Sequence, residues 1–528
     1  MGTPHYGQIT RIERALARES GVIRKDWGGR LPVALVYPNT YWVGMSSLAV
    51  HTLYRILNAR PDVVAERVFW SLEARPRADE RPLSIESQRP LGDFAVIAFS
   101  IAYELDYFHV VELLRRAGVP LRAQERDASW PLVVAGGPAV SANPEPLADF
   151  VDAFVVGEAE ALTPPLAEML WDAVQRDRPA AWEALAALPG VYVPAAARAP
   201  VRRVYARDLS AAPATTAVYT PDTEFGDRGL IEIGRGCWRG CRFCLAGFAL
   251  RPLRHVAVEA VLAAAAEVLR HRDRVGLVSA AVSDHPEIDR LAVELRQMGA
   301  RVAISSLRVD PLSEPLIRAL AESGTQTLTI APEAGSWRLR RLIGKPQRDE
   351  DILAAADLAA RYGFAQLKMY FMIGHPTETE DDVAAIADLA LAVRARFARN
   401  LVITVTPFVP KAHTPFQWQA MMPVPQLAAR IAALQRRLEP ARVSVRSDSP
   451  DWAAVEGVLA RGDRRLGAVL AAMRKTSLRE WERALARQGL SAEDYLRARA
   501  LDEALPWSVV EPGVSPARLR RLCEPAAG

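Results

Sequence analysis

Through the middle of the chain, short apolar runs of strand length alternate with longer segments of helical period. The strand-like runs fall at 230–233, 276–279, 301–305, 327–330, 367–373 and 401–405. Helices are expected over 256–269, from about 286, from about 311, in a stretch ending near 362, and over 380–397. Strands separated by helices of this length build parallel βαβ units. Six of them predict a partial (β/α)6 TIM-like barrel whose ligands sit at the C-terminal ends of the strands.

The N-terminal third repeats the alternation in a separate block. Strands are expected at 33–37, 94–99, 132–135 and 153–156, with helices over 45–57 and 106–117. Two of these strands end in glycine turns, Gly136-Gly137 and Gly157-Glu158-Ala159-Glu160. Consecutive strand–helix units predict a doubly wound, Rossmann-like parallel sheet that takes its ligand outside the carboxyl ends of the strands. The fold class is therefore α/β. It comprises a helical extension over 1–29, a doubly wound domain over 30–205, the barrel over 223–442 and a C-terminal helical tail over 443–528.

The chemistry is announced by Cys237, Cys241 and Cys244, a C-x3-C-x2-C triad set among Gly234, Gly236, Gly240 and Gly247 directly after the first barrel strand. Three thiolates leave one iron of a cubane [4Fe-4S] cluster without a protein ligand, where a small molecule can bind. The triad taken alone also admits a zinc knuckle or a redox-sensing thiol cluster, and so a non-enzymatic sensor or scaffold module. The remaining cysteine, Cys523, is not expected to ligate, because it would have to fold back across the substrate entrance.

This motif, with Phe243 ahead of its last cysteine, resembles the radical S-adenosylmethionine (SAM) superfamily. The resemblance implies an enzyme that cleaves SAM reductively to a 5′-deoxyadenosyl radical, with SAM on the open iron and an external electron donor such as flavodoxin or ferredoxin. Carried over by position, it implies SAM contacts at Ser306, Arg308, Glu333 and Gly374, which follow the third, fourth and fifth strands. Ser306 and Glu333 also suit helix N-caps. After the second strand the family's Gly-Gly-Glu is absent, and Ser279 and Ser283 stand in its region. The N-terminal block resembles the cobalamin-binding domain that precedes many radical SAM cores. That likeness places Ser100, Gly136 and Gly137 against the corrin tail and its nucleotide, and it would make methyl transfer the outcome. The family's Asp-x-His-x-x-Gly aligns with Asn39-Thr-Tyr41-Trp-Val-Gly44, so Tyr41 takes the place of the lower-ligand histidine, and the domain would otherwise be a scaffold that shapes the pocket. With no second cysteine triad, a methylthiotransferase is disfavoured.

Composition adds limits. Of 528 residues, 50% are hydrophobic and 24% charged, with a formal net charge of +4, which is ordinary globular chemistry and indicates no nucleic-acid partner. The basic runs 336–345 and 517–522 are expected to be solvated helix faces. No apolar run reaches the ~18 residues of a membrane span, and no signal-peptide core is seen, so a reducing cytoplasm is expected. In the proline-rich loop 407–416, Lys411 and His413 are candidates for substrate contact or proton transfer, and His413 equally suits a backbone anchor. The substrate is not encoded legibly.

Overall fold

The computed structural model describes residues 6–77, 80–196 and 199–523, so the outer ends of the expected flanking segments, 1–5 and 524–528, lie outside the described residues. In the first layer, β1 (Leu31–Thr40), β2 (Val63–Ser71), β3 (Val96–Ser100), β4 (Leu132–Gly136), β5 (Ala153–Val155) and β6 (Val191–Tyr192) form one sheet in the order β2-β1-β3-β4-β5-β6. The first five strands pair in parallel and β6 is antiparallel to β5. These strands are apolar on both sides because both faces are covered. Val33, Val96 and Val134 pack with Leu166 and Leu170 of the helix Ala159–Ala173, whereas Ile97, Phe99 and Val133 pack with the helix Tyr107–Ala117. The sheet is thus doubly wound, with its switch point between β1 and β3.

A short strand, β7 (Val201–Arg202), leads out of this layer. The second layer begins with β8 (Gly229–Glu232), followed by a small hairpin of β9 (Gly234–Arg235) and β10 (Arg254–His255). The parallel strands β11 (Arg274–Val278), β12 (Arg301–Ala303), β13 (Thr327–Glu333), β14 (Gln366–Ile373), β15 (Asn400–Pro407) and β16 (Ser444–Ser447) then run in the orders β12-β11-β8 and β13-β14-β15-β16. A bridge from Leu307 to Ile330 joins the two groups. Buried residues of β13 and β14, such as Ile330, Met369 and Phe371, face the helices outside, while their alternates Thr329, Lys368 and Tyr370 are half-buried. The barrel interior is therefore polar and incompletely filled.

The sheet runs one strand further than the six expected. β16 lies where the helical tail was expected to start, and its largely exposed Ser-Val-Arg-Ser sequence carries little apolar signal. The helices beyond it return to the first layer, with Val458, Leu459 and Trp481 sharing a core with Ile97 and Phe108. β17 (Val510–Glu511) pairs with β7. No helix among the described residues is long and apolar enough to cross a membrane.

Candidate active site

The cysteines stand on the loop that β9 and β10 close at its base. Gly236 has φ +80°, and a Cβ there would lie 2.6 Å from the carbonyl oxygens of Leu250 and Pro252, so the turn ahead of Cys237 requires glycine. The far side of the loop is tied down as well. The Arg242 amide donates to the Ile343 carbonyl at 2.8 Å, and the Phe416 amide donates to the Arg242 carbonyl at 3.2 Å. Arg239 grips both oxygens of Asp284 at 2.9 Å and the Asp310 carbonyl at 2.9 Å.

Cys237, Cys241 and Cys244 are free thiols. Burial, and secondarily Cys241, pushes the Cys244 thiol up to about 11, against the pull of the Ala246 and Gly247 N–H groups. Burial also raises Cys241, opposed by Lys345 and Arg308. Nearby N–H donors and cations are what cluster-bound thiolates need around their sulfurs. Among the described residues, no three His, Cys, Asp or Glu side chains converge as they would around a single metal ion.

Of the expected SAM contacts, Arg308 and Glu333 both act on the Cys241 thiol, the guanidinium lowering it and the carboxylate raising it. Glu333 ends β13 after a register break from Ile330, with its backbone at φ +69°. That left-handed conformation is uncommon outside glycine and concentrates at functional sites. Its carboxylate accepts from Lys345 Nζ at 2.9 Å. Arg308 contacts both oxygens of Asp310 at 3.1 Å, while its Nε is buried without a partner. Ser306 is half-buried one residue before the Leu307 bridge. Gly374, at φ +84°, donates its N–H to Glu378 Oε2 at 2.6 Å, and burial pushes the Glu378 carboxyl up to about 7.

Several alternatives are resolved. Ser306 and Glu333 do not cap helices: Ser313 caps Glu314–Glu322 by accepting from the Leu316 amide at 3.1 Å, and Ser336 caps Trp337–Leu342 by accepting from the Leu339 amide at 3.1 Å. The run 336–345 is not simply a solvated face, because Arg340 is buried against Asp349 and Lys345 is buried against Glu333. Arg518, Arg520 and Arg521 of the second run are exposed, as expected. Ser283 accepts from the Arg308 amide at 3.3 Å and so supports that loop. His413 is buried, bonded to the Ala142 backbone and pushed down to about 4 by burial, which matches the anchor reading. The C-terminal helix Pro516–Cys523 does fold back, packing on Phe248 and Trp418, where Cys523 accepts from Gln419 Nε2 at 3.2 Å.

In the first layer, a slot of about 300 Å³ opens between the sheet and the helices Leu48–Ala59 and Ala159–Ala173. Ser100, Gly136 and Gly137 all line it, together with the buried and unpartnered hydroxyls of Thr52 and Ser141. Gly137, at φ +113°, brings the chain so close to Ile101 that a Cβ would meet the Ile101 nitrogen at 2.9 Å. Tyr41 does not line this slot; it is buried in a neighbouring core, where its hydroxyl donates to Glu19 at 2.6 Å.

Sequence reasoning did not foresee the bridge between layers. Glu158 of the glycine turn is buried and pairs with Arg203, with Arg254 at 2.7 Å and with Arg235 at 3.1 Å, while Arg235 also holds Glu160 at 2.7 Å. Although burial opposes it, these guanidiniums hold the Glu158 carboxyl below its ordinary value. Also unforeseen was a pocket of about 510 Å³ between Phe243, the ends of β14 and β15, and Tyr103 of the first layer. Its walls come from five separate stretches of sequence, of which only the cysteine loop with Phe243 and the loop that carries Lys411 stand out as sequence motifs.

This is an enzyme architecture in which a three-cysteine loop opens onto the C-terminal ends of a partial parallel barrel. Residues 231–390 match the model of the radical SAM superfamily, and residues 49–194 match that of the N-terminal region of radical SAM proteins. An uncharacterized protein of Methanocaldococcus jannaschii is 33% identical over 445 residues, covering 83% of this chain and 90% of that protein. The chain belongs to the radical SAM superfamily and is a radical SAM enzyme. An uncharacterized methyltransferase of Pyrococcus horikoshii is 25% identical over 186 residues, 34% of this chain and 40% of that one. The fold is similar to that of the radical SAM methyltransferase TsrM from Kitasatospora setae, solved with cobalamin and a [4Fe-4S] cluster bound, at a TM-score of 0.55 and 15% identity over 87% of this chain and 99% of that one.

Proposed function

We propose that this chain is a cobalamin-dependent radical SAM methyltransferase. The observation that carries the reading is the slot beneath the carboxyl ends of β3 and β4. It is mainly apolar, holds two orphaned hydroxyls, and extends to Glu232 and Arg235 at the foot of the cysteine loop. An apolar slot with a few convergent polar groups suits a flat heterocycle, and the base of the cobalamin nucleotide has that form. The methyltransferases among the similar proteins support the same reading. Cys237, Cys241 and Cys244 would hold the cluster, Ser306, Arg308, Glu333 and Gly374 would hold SAM, and Ser100, Gly136 and Gly137 would hold the cobalamin tail.

Once bound, these groups would supply reductive S–C bond cleavage and methyl carriage. The protein's part is position and charge. Glu333, already held by Lys345, offers a carboxylate to an ammonium or to ribose hydroxyls. The unpartnered Arg308 Nε offers a donor to a carboxylate. Phe243 packs with Leu339, Ile343 and Phe408, so the cluster loop presents an apolar wall that excludes water.

The test is to reconstitute the full chain anaerobically with iron, sulfide and hydroxocobalamin, then add methyl-labelled SAM and dithionite. Label on the bound corrinoid, with S-adenosylhomocysteine released, is expected. Formation of 5′-deoxyadenosine without label on any corrinoid would reduce the function to a cobalamin-free radical SAM enzyme.

A further inference from the structure

The pocket at the barrel mouth is built by all three parts of the chain, with Tyr103 from the first layer, Phe243 and Lys411 from the barrel, and Asp448 and Trp452 from beyond β16. Its charge is unbalanced. The Lys411 ammonium is held between Glu104 at 2.8 Å and Glu456 at 2.6 Å, and the Tyr103 hydroxyl donates to the second oxygen of Glu456 at 2.6 Å. With two carboxylates against it, Lys411 has no net positive charge to offer a guest. Asp448 directly follows β16, at the strand end where a parallel barrel binds its ligands, and no ion pair to its carboxylate forms among the described residues. Lys368, which acts on it from a distance, is hydrogen-bonded to the Tyr370 hydroxyl at 2.8 Å. Burial and the Glu456 charge raise the Asp448 carboxyl against the pull of Lys368.

We infer that the substrate presents a cationic nitrogen on an apolar body to this pocket, with Asp448 as its counter-ion and the rings of Tyr103 and Trp452 as its walls. The inference rests on the proposed function only for the pocket's role as the substrate site. The Glu456 and Asp448 carboxylates of the lining make an anionic guest unfavourable, aromatic faces attract cations, and a carboxylate facing a protonated amine forms a charge-assisted hydrogen bond. A volume of about 510 Å³ takes a small molecule.

The experiment measures binding of a size-matched series to the full-length reconstituted protein by saturation-transfer NMR titration: phenethylamine as cation, phenethyl alcohol as neutral, phenylacetate as anion. Phenethylamine is expected to bind about tenfold more tightly than the alcohol, with phenylacetate weakest. Asp448→Asn should bring amine and alcohol together. Asp448→Lys should reverse the order in favour of phenylacetate, a gain that a misfolded variant cannot imitate. Equal binding of amine and alcohol to the unaltered protein, or an amine preference that survives Asp448→Lys, overturns the inference. SAM cleavage measured on the same sample separates the two claims. Cleavage without amine preference removes only the substrate class, and amine preference without cleavage removes only the proposed reaction.

Discussion

Glu333 shows how a single position can be read from sequence and still surprise. Its place after a predicted strand marks it as a ligand contact, but its left-handed backbone and its pairing with Lys345 depend on a register break that no periodicity encodes. The cysteine triad is legible because its chemistry lies within eight successive residues, 237–244. Lys345 was missed because a basic run reads as solvated until the fold buries it. Alignment to a motif gives Tyr41 a position along the chain but not the direction of its side chain, whose hydroxyl is captured by Glu19, well upstream. Replacing Glu333 with alanine is expected to weaken SAM binding by about 1–3 kcal/mol, the effect of removing one charged hydrogen-bond partner. Calorimetric titration of the reconstituted protein checks this, and unaltered affinity would take Glu333 out of the site.

Among the elements, strands that are apolar throughout or alternate cleanly were found in the sequence, and those that break the pattern were not. β2 was overlooked because Glu66 and Arg67 interrupt it, yet Arg67 is buried between Glu19 at 2.7 Å and Glu86 at 2.6 Å. β16 was overlooked because an exposed edge strand needs few apolar residues. The glycine turn after β5 was recognised as a turn, but its partners, Arg203, Arg235 and Arg254, lie 45, 77 and 96 residues away along the chain. Glu158→Gln would leave buried guanidiniums facing a neutral amide, and breaking a buried ion pair costs about 3–5 kcal/mol. Denaturant unfolding of the variant should show a loss of that order. Wild-type stability would mean that the network does not hold the cysteine loop to the first layer.

For the whole molecule, the α/β class, the doubly wound first layer and the parallel barrel follow from alternating strands and helices, because each unit is local in sequence. What joins the layers is not local. The slot takes residues from β1, β3, β4 and β5 and two helices, then reaches Leu250 beyond the cysteines. The tail helices close over the first layer instead of trailing from the barrel. The central claim is that this slot seats a corrinoid beside a cluster on the cysteine loop, and corrinoid retention tests it most directly. The full chain, reconstituted anaerobically with iron, sulfide and hydroxocobalamin and freed of excess, should retain about one corrinoid and about four irons per chain on the stoichiometry of a cubane site. Ala49→Phe, which grows a ring into the slot from its lining, should lose the corrinoid and keep the iron. A protein that retains no corrinoid, or a variant that retains as much as the unaltered chain, would contradict the account.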